Sequence, residues 1–220
     1  MTDATPLPSA GSSDPSAPAD PAVPVDPTRP VGDTAPLPGP LTLEQTAPWV
    51  LGTTAAGERA TLTAFLDYLR WAAAHKARGL SDSAARRRLV PSGTTVAGVL
   101  RHLTVVERNW FQRVLRADPG VEKELRPLLE AVESTFTVPD DTPLSAVVAD
   151  YERECARSRA AVAAHPLDHT VDHDELGPVS LRWILLHMVE ETARHAGHLD
   201  ILREQIDGAT GDREPATGPG

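Results

Sequence analysis

The amino-acid sequence predicts an all-α protein, a four-helix bundle with a disordered tail at each end. Apolar residues recur at spacings of three and four along four long segments, as on the buried face of a helix. No segment alternates apolar and polar residues over a useful strand length. Aromatic residues make up only 4% of the chain, so the core must consist mainly of Leu, Val and Ala, a composition that favours helices.

The two ends of the chain differ in composition from the rest. Residues 1–40 are dominated by Pro, Ala, Asp, Ser and Thr, and residues 209–220 by Gly, Pro, Ala and polar residues. Segments of this kind bury too little apolar surface to offset the entropy cost of ordering them. We therefore predict a disordered tail over 1–40, a helical domain over 41–208 and a second disordered tail over 209–220.

The first half of the predicted domain contains two long helices. The first covers about residues 54–78, and Gly79 can adopt the left-handed conformation that commonly follows a helix. A short helical turn capped by Ser81 comes next. The second long helix begins at Thr94 or Thr95 and runs to about residue 116.

The second half contains the other two long helices. The third begins with Thr142 as N-cap and Pro143 at the first helical position, and it runs to about residue 164. The fourth begins at Ser180 as N-cap and runs to about residue 206, where an Asp-Gly pair ends it. Residues 117–140 are harder to interpret, because Pro127 interrupts the helical pattern of VEKELRPLLEAV.

Charge and cysteine content exclude several classes of partner and site. The formal net charge is -10 and no dense run of Lys and Arg offsets it, so we expect no nucleic-acid partner. The single cysteine, Cys155, excludes a disulfide framework and a cysteine-based zinc cluster. Neither a signal-peptide pattern nor an apolar run of membrane-spanning length occurs. We therefore expect a cytoplasmic protein with no membrane partner, and the sequence leaves a homodimer open.

The fourth predicted helix carries a row of metal-ligand residue types in the segment HMVEETARHAGHLD. His187, Glu191 and His195 lie four residues apart and therefore stack on one helix face, and His198 follows three residues later. Imidazole and carboxylate groups at this spacing can hold one divalent ion from a single helix. His102, beside the apolar face of the second helix, could reach across a bundle to the same ion.

Each of these residues also has a simpler interpretation. Short Glu–His patterns often occur on His-rich helices that bind no metal. His102 alone would more often be a core histidine with a backbone partner, and His198 a core or surface residue. The residues by themselves therefore leave a metal site and a metal-free pair of helices open.

Two segments carry a family resemblance. SGTTVAGVLRHLTVVERNWFQRVL and SLRWILLHMVEETARHAGHLDILREQIDG resemble the DinB superfamily. They are most similar to its actinobacterial DinB-like branch, which is related to mycothiol-dependent maleylpyruvate isomerases and to bacillithiol or mycothiol S-transferases. The resemblance covers about residues 45–208 and implies a four-helix bundle of DinB-like type, with a metal at one end of the core. It implies His102, Glu191 and His195 as the metal ligands, whereas His187 matches no ligand and is expected to support Glu191.

The same resemblance implies a metal-dependent enzyme that transfers a small thiol of the mycothiol type to a small electrophile, or uses it in an isomerisation. We expect Zn²⁺, while Ni²⁺ and Fe²⁺ also suit two imidazoles and a carboxylate. A zinc-bound thiol loses its proton at neutral pH and becomes the nucleophile. No catalytic residue is assigned, and Cys155 falls on an apolar stripe and is expected to be a buried, inert thiol. The alternative is a non-enzymatic DinB-like stress or binding protein whose metal only stabilises the bundle.

Overall fold

Helices dominate the structure, a computed structural model that describes residues 48–211. The predicted tail at 1–40 and residues 212–220 of the second tail lie outside the described residues. In chain order the elements are α1 (Pro48–Leu51), α2 (Glu58–His75), α3 (Asp82–Ala85), α4 (Val96–Glu107), a π-helix (Arg108–Leu115) that continues α4, α5 (Pro119–Glu130), a 3-10 helix (Val132–Phe136), α6 (Leu144–Ala163), β1 (Thr170–His173), β2 (Gly177–Ser180) and α7 (Leu181–Asp207).

The four long helices pack against one another around an apolar core. Helix α2 lies against α7, α7 against α4, α4 against α6, and α6 against α2. The core is built mainly from aliphatic side chains, as the composition predicted. Its largest fully buried aliphatic side chains include Leu66, Leu100, Leu103, Ile184, Leu185, Met188 and Leu199. Burial of this apolar face stabilises the helices far more than their intrinsic propensities do.

Three of the predicted helix starts are confirmed by their capping hydrogen bonds. The hydroxyl of Thr95 accepts a bond of 3.0 Å from the backbone N–H of the third helical residue of α4, and Ser81 and Ser180 each accept an equivalent bond of 3.2 Å at α3 and α7. Helix α7 ends at Gly208, which adopts the left-handed conformation with φ +79°. Local sequence signals therefore position the two helices, α4 and α7, that carry the candidate site.

The predicted start of α6 was wrong. Pro143 itself occupies the N-cap position, and the first helical residue is Leu144. The backbone N–H of Leu144 donates to the Asp82 carboxylate, at 2.7 Å between N and Oδ1. Because the capping group comes from α3, 62 residues earlier in the sequence, no local pattern reveals it.

The segment between α4 and α6 contains a helix that the sequence interpretation left uncertain. Helix α5 begins at an Asp118–Pro119 pair, and the Asp118 side chain accepts hydrogen bonds from the backbone N–H groups of Gly120 and Val121. This cap, with proline at the first helical position, is a standard helix start signal that could have been read from the sequence. Pro127 lies inside this helix and is exposed.

The expectation of an all-α protein was also wrong in one place. Strands β1 and β2 form an antiparallel hairpin in which Thr170 pairs with Ser180 and His173 with Gly177. Each strand has only four residues, too few to show a clear alternation of apolar and polar side chains. The hairpin packs against the π-helix and leads directly into α7, so it lies next to the helices of the candidate site. Among the described residues, no helix has both the length and the apolar character needed to cross a membrane.

Candidate metal centre

Two neighbouring helices bring the three predicted ligand residues together. His102 lies on α4, and Glu191 and His195 lie one turn apart on the face of α7 that meets it. His102 and His195 are each 8% exposed, while the Glu191 side chain is 18% exposed. The site is therefore mostly shielded from water, and its carboxylate retains an opening to the solvent.

The side-chain atoms of the triad converge on one point. The Nε2 atoms of His102 and His195 each lie 3.2 Å from the same Glu191 oxygen, Oε1. One ligand atom from each residue can be chosen so that all lie within 4.8 Å of one another, close enough to share a metal ion. Two ligands of a tetrahedral zinc site, each about 2.0–2.1 Å from the ion, lie roughly 3.4 Å apart. The observed separations therefore fit a small divalent cation.

The second nitrogen of His102 fixes the orientation of its ring. Nδ1 lies 2.8 Å from Oγ1 of Thr135, and this hydroxyl in turn donates to the backbone carbonyl of Val132 at 2.6 Å. A threonine hydroxyl has a single proton, so when that proton goes to the Val132 carbonyl, Oγ1 must accept from Nδ1–H of His102. In the neutral ring, Nε2 then presents a lone pair to the Glu191 carboxylate. Two acceptors face each other at this point, and a cation between them would satisfy both.

The Glu191 carboxylate supplies the negative charge of the site. When the imidazole nitrogens carry protons, their hydrogen bonds to Glu191, from His102 first and then from His195, hold the pKa of Glu191 well below its ordinary value, although partial burial acts in the opposite direction. Glu191 is therefore an anion at neutral pH. A divalent ion or a proton on an imidazole can balance this charge.

The 3-10 helix supplies a ring that covers one face of His102. Phe136 stacks on the ring with 4.2 Å between centroids and 7° between planes. The close approach depends on Gly98, because a Cβ atom there would lie 2.7 Å from the carbonyl oxygen of Phe136. Thr135, Phe136 and Gly98 were all missed in the sequence interpretation. A glycine one turn before a candidate ligand histidine was the one available signal.

His198 gives His195 a similar second contact. The Nδ1 atoms of the two rings lie 3.4 Å apart, and the rings meet edge to face. Burial, together with the charges of His195 and Arg194, lowers the pKa of His198, which favours its neutral form. A neutral His198 can accept a hydrogen bond from Nδ1–H of His195, leaving Nε2 of His195 directed at Glu191.

Three other polar residues of α7 have partners outside the triad. His187 contacts Trp110 and Trp183, with ring centroids 4.7 and 5.2 Å apart, and these contacts do not support the expected role beside Glu191. Arg182 pairs with Glu58 and Asp168 on the surface, and Arg194 pairs with Glu190.

Comparison with known proteins is decisive about the family. Residues 61–208 match the mycothiol-S-transferase family. The chain belongs to this family. It is therefore a member of the DinB-like superfamily, which confirms the resemblance seen in the sequence. No curated protein and no solved structure matches this mycothiol-S-transferase family member.

Proposed function

We propose that this protein is a metal-dependent S-transferase that uses a small thiol of the mycothiol type to attack small electrophiles. The observation that carries the proposal is the convergence of two imidazole nitrogens on one Glu191 oxygen, in a chain of the mycothiol-S-transferase family. The closed ring of contacts among α2, α4, α6 and α7 supports a four-helix bundle of DinB-like type around this site.

Nε2 of His102, a carboxylate oxygen of Glu191 and Nε2 of His195 are the proposed metal ligands. Two imidazoles and one carboxylate suit Zn²⁺, our first choice, and also Ni²⁺ or Fe²⁺. A bound divalent ion supplies the charge that deprotonates a coordinated thiol at neutral pH. The three side chains supply only one negative charge between them, so a bound divalent ion would leave the site with a net positive charge that attracts an anion such as a thiolate.

The surrounding residues prepare the ligands for this task. Thr135 holds the His102 ring in the tautomer that leaves Nε2 free, because its oxygen accepts from Nδ1. Phe136 covers one face of that ring and excludes water from it. Both His102 and His195 are therefore fixed before a metal arrives, which lowers the cost of assembling the site.

The proposed reaction is a displacement at carbon. The thiolate sulfur attacks an electrophilic carbon and forms a C–S bond, while the bond from that carbon to the leaving group breaks and its electron pair departs with the leaving group. The thiol proton passes to solvent. In an isomerisation the sulfur adds to a double bond and later leaves again, so the thiol is regenerated. Cys155 takes no part in these steps, because it is buried at 3% exposure.

The proposal is tested by incubating the zinc-loaded full-length chain with mycothiol and monochlorobimane and following the fluorescent conjugate. We expect turnover above the uncatalysed rate, lost in His195→Ala and retained in Glu190→Ala, a matched change at an exposed residue of the same helix. An absence of turnover with mycothiol and with bacillithiol would refute the transferase. Retained metal without turnover would then favour the non-enzymatic alternative.

A further inference from the structure

A cluster of aromatic rings lies beside the candidate metal centre. Trp110 of the π-helix contacts His173 of the hairpin and both Trp183 and His187 of α7, with ring centroids 5.2, 5.4 and 4.7 Å away. Trp183 and His187 also stack on each other at 5.2 Å and 14°. We call these four residues the aromatic cluster. Three separate elements contribute to it, although they are far apart in the sequence.

The aromatic cluster lies farther along the contact between α7 and the α4–π-helix segment that forms the metal centre, because His102 meets Glu191 and Trp110 meets His187. Trp183, His187 and Glu191 are spaced four residues apart on α7, so they form one row. His187 and Trp183 lie about 6 and 12 Å from Glu191 along the helix axis. A molecule of modest size that reacts at the metal centre can therefore extend onto these rings.

The π-helix brings Trp110 to this row from α4. Trp110 follows His102 by eight residues, and a continuous α-helix would turn it roughly 80° away from the His102 face. The chain is π-helical over Arg108–Leu115, and a π-helix turns less per residue, so Trp110 is carried back toward that face. Such departures from the α-helix are frequent at functional sites. The same helix thus supplies a candidate ligand and a ring of the cluster.

The outer part of the cluster is open and apolar. Trp183 is 41% exposed, and next to it on α7 Leu186 is 59% exposed. Leu176, in the turn of the hairpin that also carries His173, is 53% exposed. Large apolar side chains grouped on a surface commonly mark a binding site.

We infer that the aromatic cluster binds the flat, apolar part of the electrophile, and that Trp183 is its principal contact. This inference rests on the proposed function and adds the class of substrate to it, namely electrophiles with a planar aromatic or conjugated ring system. An indole stacks on such a ring system with little loss of side-chain entropy. The exposed Leu186 and Leu176 suit an apolar ring better than the hydroxyl-rich body of a mycothiol-type thiol, since they offer no hydrogen bonds to replace those made with water.

A binding experiment tests this subsite without requiring any reaction. The probe is syn-dimethylbimane, which has the bimane ring but no leaving group, and equilibrium dialysis measures its binding to the full chain. We expect Trp183→Ala to weaken binding about tenfold, since a stacked aromatic contact is lost, and Trp183→Phe to restore most of it. Ile201→Ala, which removes a similarly exposed apolar side chain farther along α7, leaves binding unchanged.

Steady-state kinetics then separate the subsite from a structural role. With the zinc-loaded chain, Trp183→Ala raises the KM for monochlorobimane about tenfold and leaves the KM for mycothiol and the metal content unchanged. Equal binding of the probe by wild type and Trp183→Ala overturns the inference, and so does a raised KM for the thiol in place of the electrophile. If the wild-type chain shows no turnover but binds the probe through Trp183, the subsite is supported and the transferase is refuted. His187→Ala serves as a second variant of the cluster and should weaken the probe in the same direction.

Discussion

Two buried or partly buried carboxylates on neighbouring helices have very different partners. Glu107, on α4, is fully buried, and its two oxygens accept hydrogen bonds of 2.7 Å from Nε and Nη2 of Arg70 on α2. Glu191, on α7, meets two imidazole nitrogens at 3.2 Å. The first carboxylate has a partner of permanent charge. The second has partners whose charge depends on protonation or on a bound ion.

This difference separates a structural ion pair from a candidate functional site. Burial alone would lower the pKa of Arg70, but the charge and hydrogen bonds of Glu107 raise it above its usual value. The Arg70–Glu107 pair is thus complete within the chain. Glu191 and its two imidazoles have no permanently charged cation between them, and the two Nε2 atoms converge on one carboxylate oxygen. A mostly buried carboxylate without a permanent cation as its partner is suited to a divalent metal ion, which would balance its charge.

The largest effect is expected from removing the carboxylate of Glu191, which has no permanent cation as its partner. Glu191→Ala should reduce bound zinc from about one ion per chain to less than a tenth of that, since a three-ligand site loses its only anion. The adjacent Glu190→Ala is the matched control, because Glu190 is exposed and pairs with Arg194. Metal analysis after gel filtration measures the outcome. Full metal retention in Glu191→Ala would remove the distinction between the two carboxylates.

The next largest effect concerns the complete pair. Arg70→Met leaves Glu107 buried without its partner, which should lower the free energy of unfolding by about 3–5 kcal/mol, because an unpaired charge is costly in the interior. Urea denaturation of the metal-free chain gives this value. We expect added zinc to stabilise Arg70→Met by the same increment as wild type, since the two regions are independent.

Two controls sharpen this second test. Arg70→Met combined with Glu107→Leu should recover much of the lost stability, since both charges are then absent. Arg153→Ala removes an exposed ion pair with Asp150 and should cost less than about 1 kcal/mol. A loss in Arg70→Met as small as that of Arg153→Ala would show that the buried pair contributes little.

The sequence revealed these two regions unequally. Glu191 and His195 were identified because their spacing of four residues is a local pattern on one helix. His102 was identified because it lies beside the apolar face of the second predicted helix, and the resemblance then covered both helices. Arg70 and Glu107 are 37 residues apart, and neither stands out in its own helix. Their pairing follows only from the packing of α2 against α4, which no local pattern encodes.

The fold shows the same division between local and long-range causes. The caps at Thr95 and Ser180 use side chains next to the helix they begin, so they were predicted from the sequence. The start of α6 was wrong because its capping carboxylate, Asp82, comes from another helix. The π-helix and the short hairpin were missed because their patterns are brief and their stability depends on contacts with neighbouring elements.

A smaller effect is expected from the residue that orients His102. Thr135→Val removes the acceptor for Nδ1 while keeping the side chain's shape, and it should weaken zinc binding about 10- to 100-fold. Competition with a chelating dye measures the affinity. Thr137→Val, a matched change at an exposed residue of the same segment, should leave the affinity unchanged. Unaltered affinity in Thr135→Val would contradict the argument for the tautomer of His102.

The smallest effect is expected at Cys155, the only thiol of the chain, which lines a cavity together with Arg70 of the buried ion pair. Burial raises the pKa of the Cys155 thiol, and the charge of Glu107 raises it further, so the reactive thiolate is suppressed. Cys155→Ala should therefore keep the full S-transfer rate and lower the free energy of unfolding by only about 1 kcal/mol. The native chain should also react slowly with iodoacetamide and rapidly once unfolded in urea. If Cys155→Ala abolished turnover while retaining metal, the nucleophile would be the protein's own thiol. The active site would then lie near Glu107 and not at Glu191.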